Sequence, residues 1–215
     1  MTRAMRRWAA AALVSSAVAG ISPSGATEIG IRYGRADLRG NRLFPGGGDL
    51  DATPLIGLQV EIEALSFLGI EIAGESYSED FRFEDGRFGD VAAEGTGTFK
   101  DLALLVTGKI GIPIHLILPL GIYGGAGLSA HFLDVDLDAT PVEGSGLAPD
   151  KDLEEAVQDV AGERTEVEWH AVVGLKIGLP ALPLVLFGEA RYQDILDSHT
   201  PDLGSAYLGL NLRFQ

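Results

Sequence analysis

The feature that most constrains this chain is an alternation of apolar and polar residues with a period of two. Within residues 55–64, aliphatic side chains at every second position alternate with Gly, Gln and Glu, and the same pattern runs through residues 165–179 and 205–214. Successive side chains of a β-strand point to opposite faces of the sheet. Each segment therefore predicts a strand with one apolar and one polar face.

Five more segments carry the pattern less regularly, and together the segments predict an all-β protein. Of the 215 residues, 29 are Gly, a residue that is unfavourable inside helices. The apolar run over residues 110–130 is long enough for a membrane-spanning helix, but Pro113, Pro119 and five glycines favour strands there. Pro119 is then expected near the start of its strand or at a distortion. The predicted strands are residues 29–34, 55–64, 68–73, 101–110, 116–132, 165–179, 184–193 and 205–214.

The connections alternate between short and long. Tight turns are predicted around residues 66–67, 112–113 and 180–181. Long polar connections are predicted near residues 39–53, 79–97, 134–164 and 195–204. This alternation predicts an antiparallel up-and-down meander whose two ends face different surroundings. Apolar residues on one side of residues 151–160 predict a short helix within the third long connection.

Two closed eight-stranded structures fit this pattern, and they differ in which face points inward. A soluble lipocalin-like barrel turns its apolar face inward, whereas a membrane barrel turns it towards lipid. The polar face combines many glycines with charges of both signs, which suits a cramped lumen in which charges are paired. Its charged residues are Arg32, Glu61, Glu63, Glu71, Glu75, Asp101, Lys109, Glu168, Lys176, Glu189, Arg191 and Arg213. We therefore expect a transmembrane barrel plugged by a charged network, with a soluble periplasmic carrier as the alternative.

The first 26 residues have a different character. Arg3, Arg6 and Arg7 precede an apolar run over residues 8–19, and small residues follow, with Ser24 and Ala26 at the −3 and −1 positions. This order predicts a secretory signal peptide over residues 1–26 and a barrel domain over residues 27–215.

Composition excludes several classes of function. The absence of Cys excludes disulfides, thiolate zinc sites and cysteine nucleophiles. The formal net charge of −15 argues against nucleic-acid binding, because phosphate backbones are held by clustered Lys and Arg. We expect no cofactor and no metal.

The pattern resembles the small eight-stranded outer-membrane barrels of diderm bacteria, of the OmpA-like and OmpX-like kind. The most specific part is residues 207–214 (YLGLNLRF), which resemble the C-terminal insertion signal of such barrels, although Gln215 follows the terminal aromatic residue. The resemblance implies a bacterial outer-membrane location, termini and tight turns in the periplasm, and long loops outside the cell. It also implies contact with outer-membrane lipids, lipopolysaccharide and the barrel-assembly machinery. We expect a monomer with a structural or surface-interaction role.

Some barrels of this kind modify lipids, which requires a nucleophile with a base within hydrogen-bond reach and an orienting acid. Ser129 and His131 share one face of a predicted strand, and Glu168 and His170 share one face of the next. The predicted register points them into the lumen, away from a lipid substrate, and no Gly-x-Ser-x-Gly motif is present. We therefore expect no enzyme and assign no catalytic residue, and a lipid-modifying barrel enzyme is kept as a second alternative.

Two further sets of residues allow a functional interpretation beside an ordinary one. Acidic residues in the long connections are either a solvated surface or ligands for divalent cations; they are Asp49, Asp51, Asp134, Asp136 and Asp138. Aromatic residues form either interfacial belts or ordinary packing; they are Tyr33, Tyr77, Phe132, Trp169 and Tyr192.

Overall fold

The protein is a closed antiparallel barrel. The computed structural model describes residues 26–39, 52–65, 67–88, 91–115, 119–142, 162–195 and 202–214. Its strands are β1 (Thr27–Arg39), β2 (Thr53–Leu65), β3 (Leu68–Phe88), β4 (Val91–His115), β5 (Pro119–Pro141), β6 (Gly162–Gly178), β7 (Leu184–Ile195) and β8 (Asp202–Phe214). Each pairs with its sequence neighbours, and β8 pairs with β1. The predicted eight-stranded up-and-down fold is confirmed. The predicted signal peptide, apart from Ala26, and the helix at 151–160 lie outside the described residues.

The strands are staggered around the ring. A row of hydrogen-bonded partners that starts at Thr27 passes through one residue of each strand and returns to β1 at Asp37, ten residues further along. Stagger of this kind requires strands tilted by roughly 35–45° to the barrel axis. Residues far apart in the sequence therefore come to the same height in the lumen. In the described ranges, no helix is long and apolar enough to cross a membrane.

The alternating faces point as predicted. Leu58 and Leu208 on the apolar face are 67% and 74% exposed, whereas Glu28 and Glu71 on the polar face are fully buried. All twelve charged residues predicted for the lumen lie on the inward face, and most of them are buried. The soluble carrier with an apolar interior is therefore wrong.

Strands β3, β4 and β5 extend furthest into residues that the sequence pattern predicted as loop. Residues 79–97 were predicted as a loop, but β3 and β4 continue through them and are separated only by residues 89 and 90. Residues 134–141, also predicted as loop, belong to β5. The turn predicted around residues 112–113 is wrong as well, because β4 continues to His115 and β5 begins at Pro119. The barrel thus has a terminal end, which carries Thr27 and Phe214, and an extended end, formed by β3, β4 and β5.

The polarity of the two faces reverses within these long strands. On β4 the outward residues change from Leu104 and Leu102 to Lys100 and Thr98, while the inward face changes from Asp101 to Phe99. The apolar outward stretch from Leu102 to Ile112 spans about 25 Å along the barrel axis at these tilts, which matches the apolar band of membrane barrels. The strands beyond it follow the pattern of a water-soluble sheet. Because their outward residues are charged and polar, these parts of β3, β4 and β5 were predicted as loop.

An apolar cluster fills the lumen at the extended end. Its buried residues are Ala36, Leu55, Tyr77, Phe81, Phe83, Ala93, Phe99, Leu133, Val135 and Tyr207. The cluster adjoins the charged part of the lumen at Tyr207, and the polarity reversal on β4 places most of the cluster outside the apolar band.

The other tight turns agree with prediction. β2 ends at Leu65 and β3 begins at Leu68. β6 ends at Gly178 and β7 begins at Leu184, across a turn in which Ala181 adopts a φ of 64°. Pro119 is the first residue of β5, as expected for a residue that cannot donate a ladder hydrogen bond.

Candidate functional site

The charged lumen begins, near the terminal end, with two lysines from a repeated motif. Residues 109–113 (KIGIP) and 176–180 (KIGLP) lie at the ends of the two strands that flank β5. Lys109 and Lys176 therefore approach the same side chains from either side. Their Nζ atoms lie 3.3 and 2.5 Å from the two oxygens of Glu61, and 4.6 and 5.7 Å from the ring centre of Tyr123.

A second group of contacts holds the terminal rim. Glu28 accepts hydrogen bonds from Lys176 at 2.9 Å, from Asn211 at 2.8 Å and from Arg213 at 2.6 Å. Glu63 is more exposed, and its closest described cation is Arg213 at 3.7 Å.

The centre of the lumen is a network around Glu71. One of its oxygens lies 3.4 Å from Arg32 and 3.0 Å from Arg191, and the other pairs with Lys109. All four side chains are almost completely buried. Glu189 joins the same three cations, at 3.7 Å from Arg32, 2.7 Å from Arg191 and 3.0 Å from Lys109.

Tyrosines link the carboxylates to the cations. The ring centre of Tyr207 lies 5.2 Å from the guanidinium of Arg32 and 5.4 Å from that of Arg191, a cation–π geometry. Its hydroxyl donates to Glu75 at 2.9 Å, and Glu75 pairs with both arginines at 3.0 and 2.9 Å. Tyr123 donates to Glu189 at 2.9 Å.

Apart from Glu63 at the exposed rim, which lies 3.7 Å from Arg213, this network contains as many carboxylates as cations. Its carboxylates are Glu28, Glu61, Glu71, Glu75 and Glu189, and its cations are Arg32, Lys109, Lys176, Arg191 and Arg213. Buried charges persist only when they are paired and hydrogen-bonded, and each of these ten has at least one opposite partner within 4 Å. The arrangement holds the strands together across the lumen.

Inward glycines make room for the larger side chains. A Cβ on Gly209 would collide with the ring of Phe187, its cross-strand partner, and one on Gly174 with the ring of Tyr123. At these two positions the absence of a Cβ leaves the space that the neighbouring ring occupies.

Between the network and the extended end lies a smaller polar cluster around His131. Its Nδ1 lies 2.6 Å from Asp101, and its Nε2 lies 2.9 Å from Gln193 and 3.3 Å from Glu168. His170 instead pairs with Thr107 at 2.9 Å.

The catalytic constellation considered from the sequence is not assembled. Ser129 is buried, and its Oγ has no hydrogen-bond partner among the described residues, so none of them is placed as a base to activate it. His131 and Glu168 lie 3.3 Å apart inside the lumen and His170 pairs with Thr107, so the structure brings together a histidine and an acid of the candidate set but not the serine nucleophile.

The acidic residues of β5 do not form a shared cation site. Asp134, Asp136 and Asp138 occupy alternate outward positions of β5, so their side chains project side by side, with the outer two about 13 Å apart along the strand. Asp136 accepts a 2.9 Å contact from Lys100. Among the described residues, no three acidic or histidine side chains are grouped so that they could hold a metal. Asp49 and Asp51 lie outside the described residues.

Four of the five candidate belt aromatics face outward. They are Tyr33, Phe132, Trp169 and Tyr192, and the rings of the last two lie 5.9 Å apart. Tyr77 is an exception: it is buried in the apolar cluster, with its ring 5.8 Å from that of Phe99, so its assignment to a belt is wrong.

The sequence pattern missed some residues of the network. Glu28 precedes the predicted first strand, and Tyr123 and Tyr207 were not recognised as partners of the lumen cations. All three have the inward parity of their strands, so extending the alternation by one residue and including aromatics would have found them.

Comparison with known proteins supports the same architecture. No protein-family model matches the chain, and no curated protein matches it. Among solved structures, the outer-membrane protein OprG of Pseudomonas aeruginosa aligns with a TM-score of 0.59 at 12% identity, over 90% of this chain and 97% of that one. The chain has the fold of the small outer-membrane β-barrels.

Two other barrels of this fold align similarly. The attachment invasion locus protein Ail of Yersinia pestis, in complex with the heparin analogue sucrose octasulfate, aligns with a TM-score of 0.53 at 15% identity, over 88% of this chain and 99% of that one. The N-terminal β-barrel domain of P. aeruginosa OprF gives 0.52 at 12% identity, over 88% and 98%. The apolar outward band and the predicted outer-membrane location agree with this fold.

Proposed function

We propose that the protein is an outer-membrane barrel with a structural or surface-interaction role, whose lumen is closed by its charged network. The termini would face the periplasm, and the extended end would face the outside of the cell. The proposal depends on one observation: ten buried or partly buried charges cross-link the lumen in balanced pairs.

Physical chemistry supports closure. An eight-stranded barrel has an interior just wide enough for side chains to fill. Opening a water-filled path would require several ion pairs that lie within 4 Å to separate together and their side chains to leave the space that they fill. A stable open pore is therefore not expected.

The extended end supports a role at the cell surface. Beyond the apolar band, β3, β4 and β5 present polar side chains outward, including Asp80, Lys100 and Asp138. With a net charge of −15, this chain is unlike a receptor for polyanions such as the heparin analogue bound by Ail. Cationic or neutral polar partners fit its charge better.

The remaining expectations are also proposals. We propose a monomer that contacts outer-membrane lipids and lipopolysaccharide, that is inserted by the barrel-assembly machinery through residues 207–214, and that is not an enzyme. Cleavage after Ala26 would leave Thr27, the first residue of β1, as the new N-terminus.

Membrane fractionation and conductance test the proposal. We expect the protein in the outer-membrane fraction, soluble only in detergent, with a gel mobility that changes on boiling. In planar bilayers the wild type should show no steady channel, and replacing both Arg32 and Arg191 with Ala should produce one. Glu63→Gln, at the exposed rim, is the control and should stay closed. Recovery in osmotic-shock fluid without detergent, or steady channels in the wild type, would refute the proposal.

A further inference from the structure

The outward surface of the barrel is not uniformly convex. A furrow of about 990 Å³ crosses it, and the exposed surface of its lining is almost entirely apolar. The furrow lies within the apolar band, on the wall formed by β7, β8, β1, β2, β3 and β4.

The furrow follows the hydrogen-bonding rows of the sheet. One row that lines it consists of Leu186, Leu210, Ile31, Leu58, Gly74 and Leu104. The adjacent row consists of Leu208, Tyr33, Ile56, Ser76 and Leu102. Because of the stagger of the strands, these rows climb from the terminal half of the band to its boundary at the extended end.

The length of the furrow matches one leaflet. Six neighbouring strands about 4.8 Å apart span about 24 Å along a row. A row is perpendicular to strands that are tilted by roughly 40°, so it rises by about 15 Å. One leaflet of the hydrocarbon core is also about 15 Å thick, half of a typical bilayer core.

Two small residues create the depression where the furrow approaches the extended end of the barrel. Gly74 and Ser76 lie on the outward face of β3, between the long side chains of Leu58 and Ile56 on β2 and those of Leu104 and Leu102 on β4. A Cβ on Gly74 would lie 3.8 Å from Leu104 in ordinary contact, with space beyond it. Ser76 places a hydroxyl where the band ends.

We propose that this furrow binds one acyl chain of a lipid from the leaflet at the extended end, with the headgroup next to Ser76. The inference rests on the proposed membrane location of the barrel. The furrow is continuous with the lipid-facing band, so hydrocarbon already surrounds it, and its small residues give a chain more contact than the neighbouring convex surface does.

Lipid retention tests the inference. The full chain is expressed in a bacterial outer membrane, purified in mild detergent and examined by native mass spectrometry. In parallel, the same protein is placed in dimyristoyl-phosphatidylcholine vesicles that contain a chain-spin-labelled phosphatidylcholine. The wild type should retain one lipid per barrel and show a slowly exchanging lipid population.

Filling the furrow should remove that lipid. Gly74→Leu should abolish retention, and Ser76→Leu gives a second test if the first variant does not fold. Gly124→Leu is the matched control: Gly124 is an outward glycine of β5, away from the furrow, and a Cβ there would meet nothing closer than 3.6 Å. It should retain lipid like the wild type.

Each result decides the inference separately from the proposed function. Absence of retained lipid in the wild type, equal retention in Gly74→Leu, or equal loss in Gly124→Leu would overturn the lipid site. None of these results bears on the closed lumen, which the conductance measurement tests. Failure of the barrel to enter membranes would refute the proposed function itself.

Discussion

Replacing Glu71 with Gln is the most informative single perturbation of the lumen. The Glu71 carboxylate contacts Arg32, Lys109 and Arg191, and all four side chains are almost completely buried. Gln keeps the size of the side chain but removes its charge, and its amide NH₂ would face cations that can only donate hydrogen bonds. Removing one partner from a buried ion pair costs about 3–5 kcal/mol. Glu189 still contacts the same cations, so we expect a loss of about 3 kcal/mol.

Urea unfolding in lipid vesicles measures this loss. Trp169 is the only tryptophan in residues 27–215 and lies on the outward face, so its fluorescence reports the transfer of β6 out of the bilayer. Glu63→Gln is the matched control, because Glu63 has a side chain 36% exposed and only a 3.7 Å contact with Arg213. It should cost about 1 kcal/mol or less. Equal losses in the two variants, or no significant loss for Glu71→Gln, would refute the view that buried pairing holds the lumen together.

Three further predictions use the same unfolding measurement or an activity assay. Gly209→Ala should destabilise the barrel by about 1–3 kcal/mol because its Cβ would collide with Phe187. In the control Gly188→Ala, the outward Cβ would lie 3.5 Å from Leu208, so the stability should change little. Equal losses of stability in the two variants would contradict the role assigned to inward glycines. Tyr207→Phe removes the hydroxyl that donates to Glu75 but keeps the ring beside both arginines, so it should lower the free energy of unfolding by about 1–3 kcal/mol. Tyr207→Leu also removes the ring and should lower it further. The reverse order would exclude the cation–π contribution. Ser129→Ala should leave membrane lipid composition unchanged because, in the part of the chain that the structure describes, no base lies within hydrogen-bond reach of Ser129. A changed composition would support the enzyme hypothesis.

Much of the barrel was predictable from the sequence because side-chain direction in a strand is local. The period of two assigned Arg32, Glu71 and Lys176 to one face and Leu58 and Leu208 to the other, without reference to any other strand. Glycines and charges of both signs on the first face then indicated which face is inside. Strand number and most turns followed from the same alternation.

The strand ends at the extended end were not predictable in this way. Outside the membrane the interior becomes apolar, as with Phe81 and Phe99, and the exterior becomes polar, as with Asp80 and Lys100. The alternation continues there, but the apolar residues now face inward and the polar residues face outward. Only the pairing of β3 with β4 and of β4 with β5 shows that these residues belong to strands.

By itself, the sequence determined which way each side chain points, because that property depends only on neighbouring residues along one strand. Tertiary structure alone decided which charges meet. Glu71 contacts Arg191 across 120 positions of the chain, and that contact exists because ring closure with a ten-residue stagger brings β3 and β7 to the same height in the lumen. Pairing partners depend on closure and stagger, which no local pattern records.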